Sequence, residues 1–177
     1  MAVYMFTLHA YRSWMPDRRQ GYVKRDEGIL PPDPEEAKRY NERAKHDQVW
    51  INATIAAVMI QAVRDVSKEH GWRLHQVRIT STHVHILVSW DGFLDWKSAR
   101  RAYKHRLTVD LHREIDPDRP FFSRGGSRKR VNDFKHFTYL MTDYLPKHGG
   151  WWWREDEKEK DDEGDAGSCG ADPAANT

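Results

Sequence analysis

Cysteine is almost absent from this chain of 177 residues: there is one, Cys169. That excludes a disulfide framework and a cysteine-held zinc site, so any metal must rest on histidine, carboxylate or amide groups. Long apolar runs are missing as well. No segment approaches the roughly 20 apolar residues needed to cross a bilayer, and the opening MAVYMFTLHAYR lacks a basic region followed by an uninterrupted apolar core. These absences predict a soluble, cytoplasmic protein with no membrane partner. Net charge is also small, +2, but it sums two unlike parts. Residues 154–177 carry three basic and nine acidic side chains, leaving 29 − 3 = 26 basic and 27 − 9 = 18 acidic in the first 153. The body is therefore +8 and the tail −6. A basic body with an acidic, low-complexity end points to a polyanionic partner, although such a surplus also serves solubility alone.

Length and composition suit one domain over residues 1–153, followed by an acidic tail, 154–177, that is expected to be disordered. VYMFTLHA (3–10) has the aromatic and β-branched content of a strand. Residues 11–32 are charged and rich in proline and glycine towards their end, which predicts a long exposed loop. A helix follows from Asp33, with Asp33 as cap and Pro34 at the first helical position. A stronger helix lies within 48–71, where Ile51, Ile55, Val58, Ala62 and Val66 recur at helical spacing and Gly71 supplies the stop. WRLHQVRIT (72–80) and HVHILVSW (83–90) read as a hairpin joined by Ser81 and Thr82. A further helix, from about Asp95 to Arg113, has a cationic face built from Lys97, Arg100, Arg101, Lys104 and Arg106. FFSRGGSRKRV reads as strand, glycine turn and strand, and NDFKHFTYLMTDYLP as a last helix opened by Asn132 and ended before Pro146. The fold class predicted by this order is α+β: a ferredoxin-like sandwich, an antiparallel sheet with helices packed on one face, plus a C-terminal tyrosine-bearing helix.

Strand alternation puts Val84, Ile86, Val88 and Trp90 on one face and His83, His85, Leu87 and Ser89 on the other. Two imidazoles on one face can share a metal ion; they can equally be the polar residues of a wet strand face. In the last helix Tyr139 and Asp143 are spaced i, i+4 and project together, so a phenol and a carboxylate are presented side by side. Here too a packed tyrosine and a solvated aspartate are the alternative. Arg124, Arg128, Lys129 and Arg130 add a basic loop that can contact phosphates. For Trp151, Trp152 and Trp153, packing of the C-terminal segment is favoured over base stacking.

The strand bearing HVHILV, the basic central helix and the later helix ending in YLMTDYLPKHGG together resemble the single-tyrosine HUH transposases of simple insertion sequences and their relatives, the REP-associated tyrosine transposases. The similarity spans about residues 3–153. It implies that His83, His85 and Asp143 hold Mg²⁺ or Mn²⁺ and that Tyr139 is the nucleophile, with Tyr144 as the competing tyrosine. The implied function is a metal-dependent endonuclease and strand transferase acting on single-stranded or hairpin DNA through a 5′-phosphotyrosine. Arg100, Arg101, Lys104, Arg124, Arg128, Lys129 and Arg130 would bind that DNA. Completion of the site within one chain or across a homodimer stays open. So does a catalytically inactive nucleic-acid-binding protein of the same fold, or a small metalloenzyme with another substrate. Ser81 and Thr82 stand where the family commonly has proline followed by asparagine or aspartate, so the turn into the histidine strand is expected to differ.

Overall fold

A computed structural model describes residues 1–24, 27–155 and 168–171. Its centre is a pair of long antiparallel strands, β1 (Ala2–His9) and β5 (His83–Trp90), in continuous register from Ala2 opposite Trp90 to His9 opposite His83. The intervening elements are a short hairpin, β2 (Tyr22–Lys24) and β3 (Gly28–Leu30); two helices, α1 (Pro34–Arg43) and α2 (Ala53–Glu69); and β4 (Arg73–Ile79). After β5 come α3 (Trp96–Glu114), β6 (Ser127–Arg130), α4 (Phe134–Tyr139), β7 (Trp151–Arg154) and β8 (Ser168–Ala171). The main sheet has six strands in the order β6-β1-β5-β4-β7-β8, and each pairing is antiparallel.

Helix starts follow local chemistry. The side chains of Asp33, Asn52, Asp95 and Asp133 each accept a backbone N–H two or three residues on, satisfying a donor that the first turn leaves unpaired. The cap of the second helix is Asn52, so Ile51 lies just outside it, buried in the approach, while Met59, Ile60 and Val63 carry more of its buried face than Val58. The expected long loop is not featureless. It contains the β2–β3 hairpin and is tied to the sheet through Tyr11, whose N–H donates to Phe121 and whose carbonyl accepts from Val49. Strand formation before the Gly125-Gly126 turn is limited to one bridge, between Ala10 and Phe122. Of the expected disordered tail, Arg154 ends β7 and Ser168–Ala171 form β8, paired with β7 from Trp151 opposite Ala171 to Arg154 opposite Ser168; residues 156–167 and 172–177 lie outside the described residues.

The sheet is covered on both faces. α2 and α3 pack on one, where Phe6, Leu8, Ile86, Val88, Trp90, Tyr103 and Leu107 are buried, and the Ser67 and Tyr103 hydroxyls meet at 2.7 Å within that layer. The other face is not wet. Met5 and Leu87 meet Leu140, Met141 and Leu145 from the C-terminal helix, and Val131 from the segment before it, in a smaller second core. Trp153 is buried in the main core, with Trp151 partly buried beside it and the Arg78 guanidinium 5.8 Å above the Trp152 ring. Among the described residues no helix is long and apolar enough to cross a membrane.

Leu87 has no exposed surface and lies beneath the C-terminal helix. Leu87→Ala is expected to destabilise the fold by about 2–5 kcal/mol, read from chemical denaturation. Loss below 1 kcal/mol would mean that the second core does not hold this helix.

Candidate metal centre and tyrosine helix

His83 and His85 occupy the β5 face opposite α2 and α3, as strand alternation predicts, and their rings are 4.7 Å apart. The third imidazole there is His148: its ring lies 5.6 Å from His83 and 4.6 Å from His85. One ring nitrogen from each of the three falls within a group no wider than 4.8 Å. Asp143 is not in this group. Its carboxylate is exposed, accepts from the Thr142 hydroxyl at 2.8 Å and lies 3.9 Å from the Lys147 ammonium.

The backbone of the last helix explains the exchange. Regular α structure ends at Tyr139, and Leu140–Tyr144 is a π-helical turn in which the Leu145 N–H donates to the Leu140 carbonyl. A π turn accommodates one residue more than an α turn, so the i, i+4 spacing of Tyr139 and Asp143 no longer puts both over the same spot. Pro146 was expected to end the helix. It instead opens a 3₁₀ turn, Pro146–His148, where its missing N–H costs nothing, and the His148 N–H donates to the Leu145 carbonyl. Gly150 then lets the chain leave: φ is +82°, and a Cβ there would lie 2.2 Å from the Ile79 carbonyl oxygen. His148 thus sits one turn after Tyr144, with the two rings 4.6 Å apart.

Tyr144 also lies 5.7 Å from the His85 ring, half-buried, with the Lys129 ammonium 5.9 Å from its own ring. Burial, and secondarily the Tyr139 phenol, push its pKa upward. Tyr139 is 47 % exposed, and its ring is 6.3 Å from that of Tyr144.

Each imidazole of the group has one nitrogen committed. Nδ1 of His85 is 2.8 Å from the Thr7 hydroxyl, the residue opposite it on β1. Nδ1 of His83 is 2.9 Å from the Thr80 hydroxyl and 3.0 Å from that of Thr82. Nδ1 of His148 is 2.8 Å from the Tyr144 carbonyl. A carbonyl only accepts, so Nδ1 of His148 is the donor in that contact and Nε2 is the nitrogen left for the group; the threonine oxygens can accept from Nδ1 in the same way. Nε2 of His85 is buried without a hydrogen-bond partner. An unsatisfied buried nitrogen, held by an outer hydrogen bond on its other side, is what a metal-ligating histidine requires. Burial, then the neighbouring imidazoles, lower the pKa of His83 to about 4 and of His85 to about 2, so both rings are neutral at neutral pH.

The Ser81-Thr82 turn has a structural explanation. Its carbonyls are the anchor of the 11–52 segment: Ser81 accepts from the Ile51 N–H, and Thr82 from the Ala10 N–H and the Ser13 hydroxyl. This brings Trp14 to 4.5 Å from His9, whose ring is 5.7 Å from His83, with the Arg18 guanidinium 3.9 Å above the indole.

The expected DNA-binding residues fall in two places. Arg128 and Arg130 pair with Phe6 and Tyr4 and face the α3 side, where Arg128 and Arg100 lie 4.2 and 5.1 Å from the Trp96 ring. Lys129 pairs with Met5 and faces the histidines. Arg100 and Lys104 donate to the carbonyls of Gly126 and Ser123, both at 2.6 Å, and so hold the glycine turn against α3. Arg101, near Lys104 in the same surface groove, and Arg124 are exposed. Arg106 belongs elsewhere: it is bound to Asp110, Glu69 and Asp65.

Fold and site together describe an α+β sandwich with a three-histidine group beneath a tyrosine-bearing helix. No family model and no curated protein matches the chain by sequence. Among solved structures, a REP-associated tyrosine transposase bound to a REP hairpin is similar, with a TM-score of 0.50 and 11 % identity over 81 % of this chain. The match spans 64 % of that protein's length. A second similar structure, a candidate transposase from Deinococcus radiodurans R1, has a TM-score of 0.47 and 12 % identity, covering 82 % of this chain and 89 % of its own. At 11 % identity the likeness to the first of these is one of fold.

His75, on β4, is also buried, and burial followed by the Arg73 guanidinium lowers its pKa to about 4. The unfolded chain therefore takes up protons on His75, His83 and His85 before the folded one does. Stability from this source is complete above pH 6.5 and is lost as pH falls towards 4. The melting temperature of metal-free protein is expected to drop across that interval, and His75→Asn to blunt the drop; a flat profile would contradict the burial of these rings.

Proposed function

We propose that the protein is a metal-dependent endonuclease and strand transferase for single-stranded or hairpin DNA, working through a covalent tyrosine ester. The observation that carries this reading is the three-imidazole group with an orphaned His85 Nε2, capped by a tyrosine one helical turn from His148. The fold shared with a hairpin-bound transposase supports it.

His83, His85 and His148 would hold a divalent ion through their free nitrogens. That ion supplies Lewis-acid polarisation of a phosphoryl oxygen. Replacing the expected carboxylate by a third imidazole shifts the preference from Mg²⁺ towards Mn²⁺ and later transition ions, because nitrogen donors suit them better. Tyr144 is the nucleophile in this proposal, and Tyr139 the second tyrosine. The Tyr144 oxygen attacks phosphorus, the bond to the 3′ oxygen breaks, and the strand is left with a 5′-phosphotyrosine and a free 3′-OH that takes up a proton. Because the ester conserves the bond energy, another 3′-OH can reseal the strand by the reverse step. Tyr144 is protonated in the resting state, so its proton must leave as attack proceeds. Lys129 faces the developing charge from β6. The α3 and β6 cations would take the phosphates of a duplex stem around the sheet edge, through sequence-independent contacts.

Labelled hairpin oligonucleotides incubated with protein and Mn²⁺ should give a covalent adduct on a denaturing gel. Tyr144→Phe is expected to abolish it and Tyr139→Phe to preserve it; the opposite pattern makes Tyr139 the nucleophile, and hairpin binding without adduct from any oligonucleotide favours an inactive binder. Calorimetric Mn²⁺ titration should lose binding at least tenfold in His85→Ala and His148→Ala and keep it in Asp143→Ala. Loss in Asp143→Ala alone would restore the carboxylate as ligand.

A further inference from the structure

A cleft of about 720 Å³ opens on the histidine face of the sheet, at the other end of the C-terminal helix from His148. Its walls include Val3, Val131, Phe137 and Met141, and it is edged by Phe134 and Arg154. Within it the His75 ring meets Phe137 edge-on at 4.9 Å, while His75 Nε2 is 2.9 Å from the Ser89 hydroxyl. Two features separate this cleft from ordinary packing. Phe134 is 82 % exposed on the first turn of α4, so it contributes almost nothing to the core. Apolar and aromatic walls are also combined with the Arg154 guanidinium, a pairing that holds a base by stacking and its phosphate by charge; of the other charged groups there, Arg73 is neutralised by Glu155 at 3.0 Å and Asp133 is engaged as the cap of α4.

Position relates the cleft to the metal centre. Ser89, bonded to a ring that lines the cleft, and His83 share one face of β5, 89 − 83 = 6 residues apart. That is about 20 Å along the strand, a span of a few nucleotides.

We propose that this cleft binds an unpaired nucleobase of the DNA strand whose scissile phosphate lies at the histidine group, Phe134 stacking on the base and Arg154 contacting its phosphate. The cleft is thereby a determinant of where along the strand the protein engages. This inference rests on the single-strand DNA reading above.

The test uses the full chain and a fluorescein-labelled, hairpin-free, mixed-sequence 20-nucleotide single strand, followed by anisotropy. Phe134→Ala and Arg154→Gln are each expected to weaken binding roughly five- to tenfold, with calorimetric Mn²⁺ affinity unchanged. The same strand carrying 4-thiothymidine should photocrosslink to the Phe134–Met141 peptide. If wild type binds no single strand, the DNA reading fails and this inference with it. If wild type binds and both variants bind equally well, or crosslinks map only elsewhere, the inference alone is overturned. Sedimentation in which Phe134→Ala changes the oligomeric state but not DNA affinity would make the cleft a self-association surface, and would likewise overturn it.

Discussion

The pairing of β1 with β5 is the constraint on which the rest depends. Its register puts Thr7 opposite His85 and His9 opposite His83, so the strand that supplies the imidazoles is read against the one that orients them. A shift of one residue would exchange faces along the whole strand, sending Ile86 and Val88 to the tyrosine helix and the histidines into the α2–α3 core. The apolar demand of that core, met by Phe6, Leu8, Ile86 and Val88, therefore also fixes the chemistry of the opposite face.

That opposite face is closed by a helix whose geometry changes along its length. The α portion, up to Tyr139, carries Phe137 over the sheet; the π turn seats Leu140, Met141 and Leu145 on Leu87; and the 3₁₀ turn returns His148 to the two strand imidazoles. Each change of pitch alters which side chain looks down. The same residues, 134–148, in a uniform α-helix would direct a different tyrosine and a different third group towards β5.

This is where sequence legibility ended. The alternation around His83 and His85, the cap at Asp33, the helix start near Asp95 and the hairpin across Ser81 and Thr82 were readable, because period and capping chemistry are local. His148 was not recognised as part of the group. Its relation to His85 depends on a backbone hydrogen bond of unusual span and on a proline that opens a turn instead of closing a helix, neither of which side-chain spacing reports. The nearest sequence signal was Lys-His-Gly-Gly after a proline, two glycines that permit positive φ immediately after an imidazole. The expectation for residues 11–32 fell short for a related reason: the anchors of that segment are carbonyls at positions 81 and 82, far along the chain.

Those anchors make the 11–52 segment a strut. Deleting it would strip donors from the Ser81 and Thr82 carbonyls, and the turn they brace is the one whose two threonine hydroxyls aim the His83 ring. A version of the domain pared down to sheet and helices would keep both histidines in its sequence and lose the fixed direction of one of them. The segment sets the direction of an imidazole through two carbonyls on another loop.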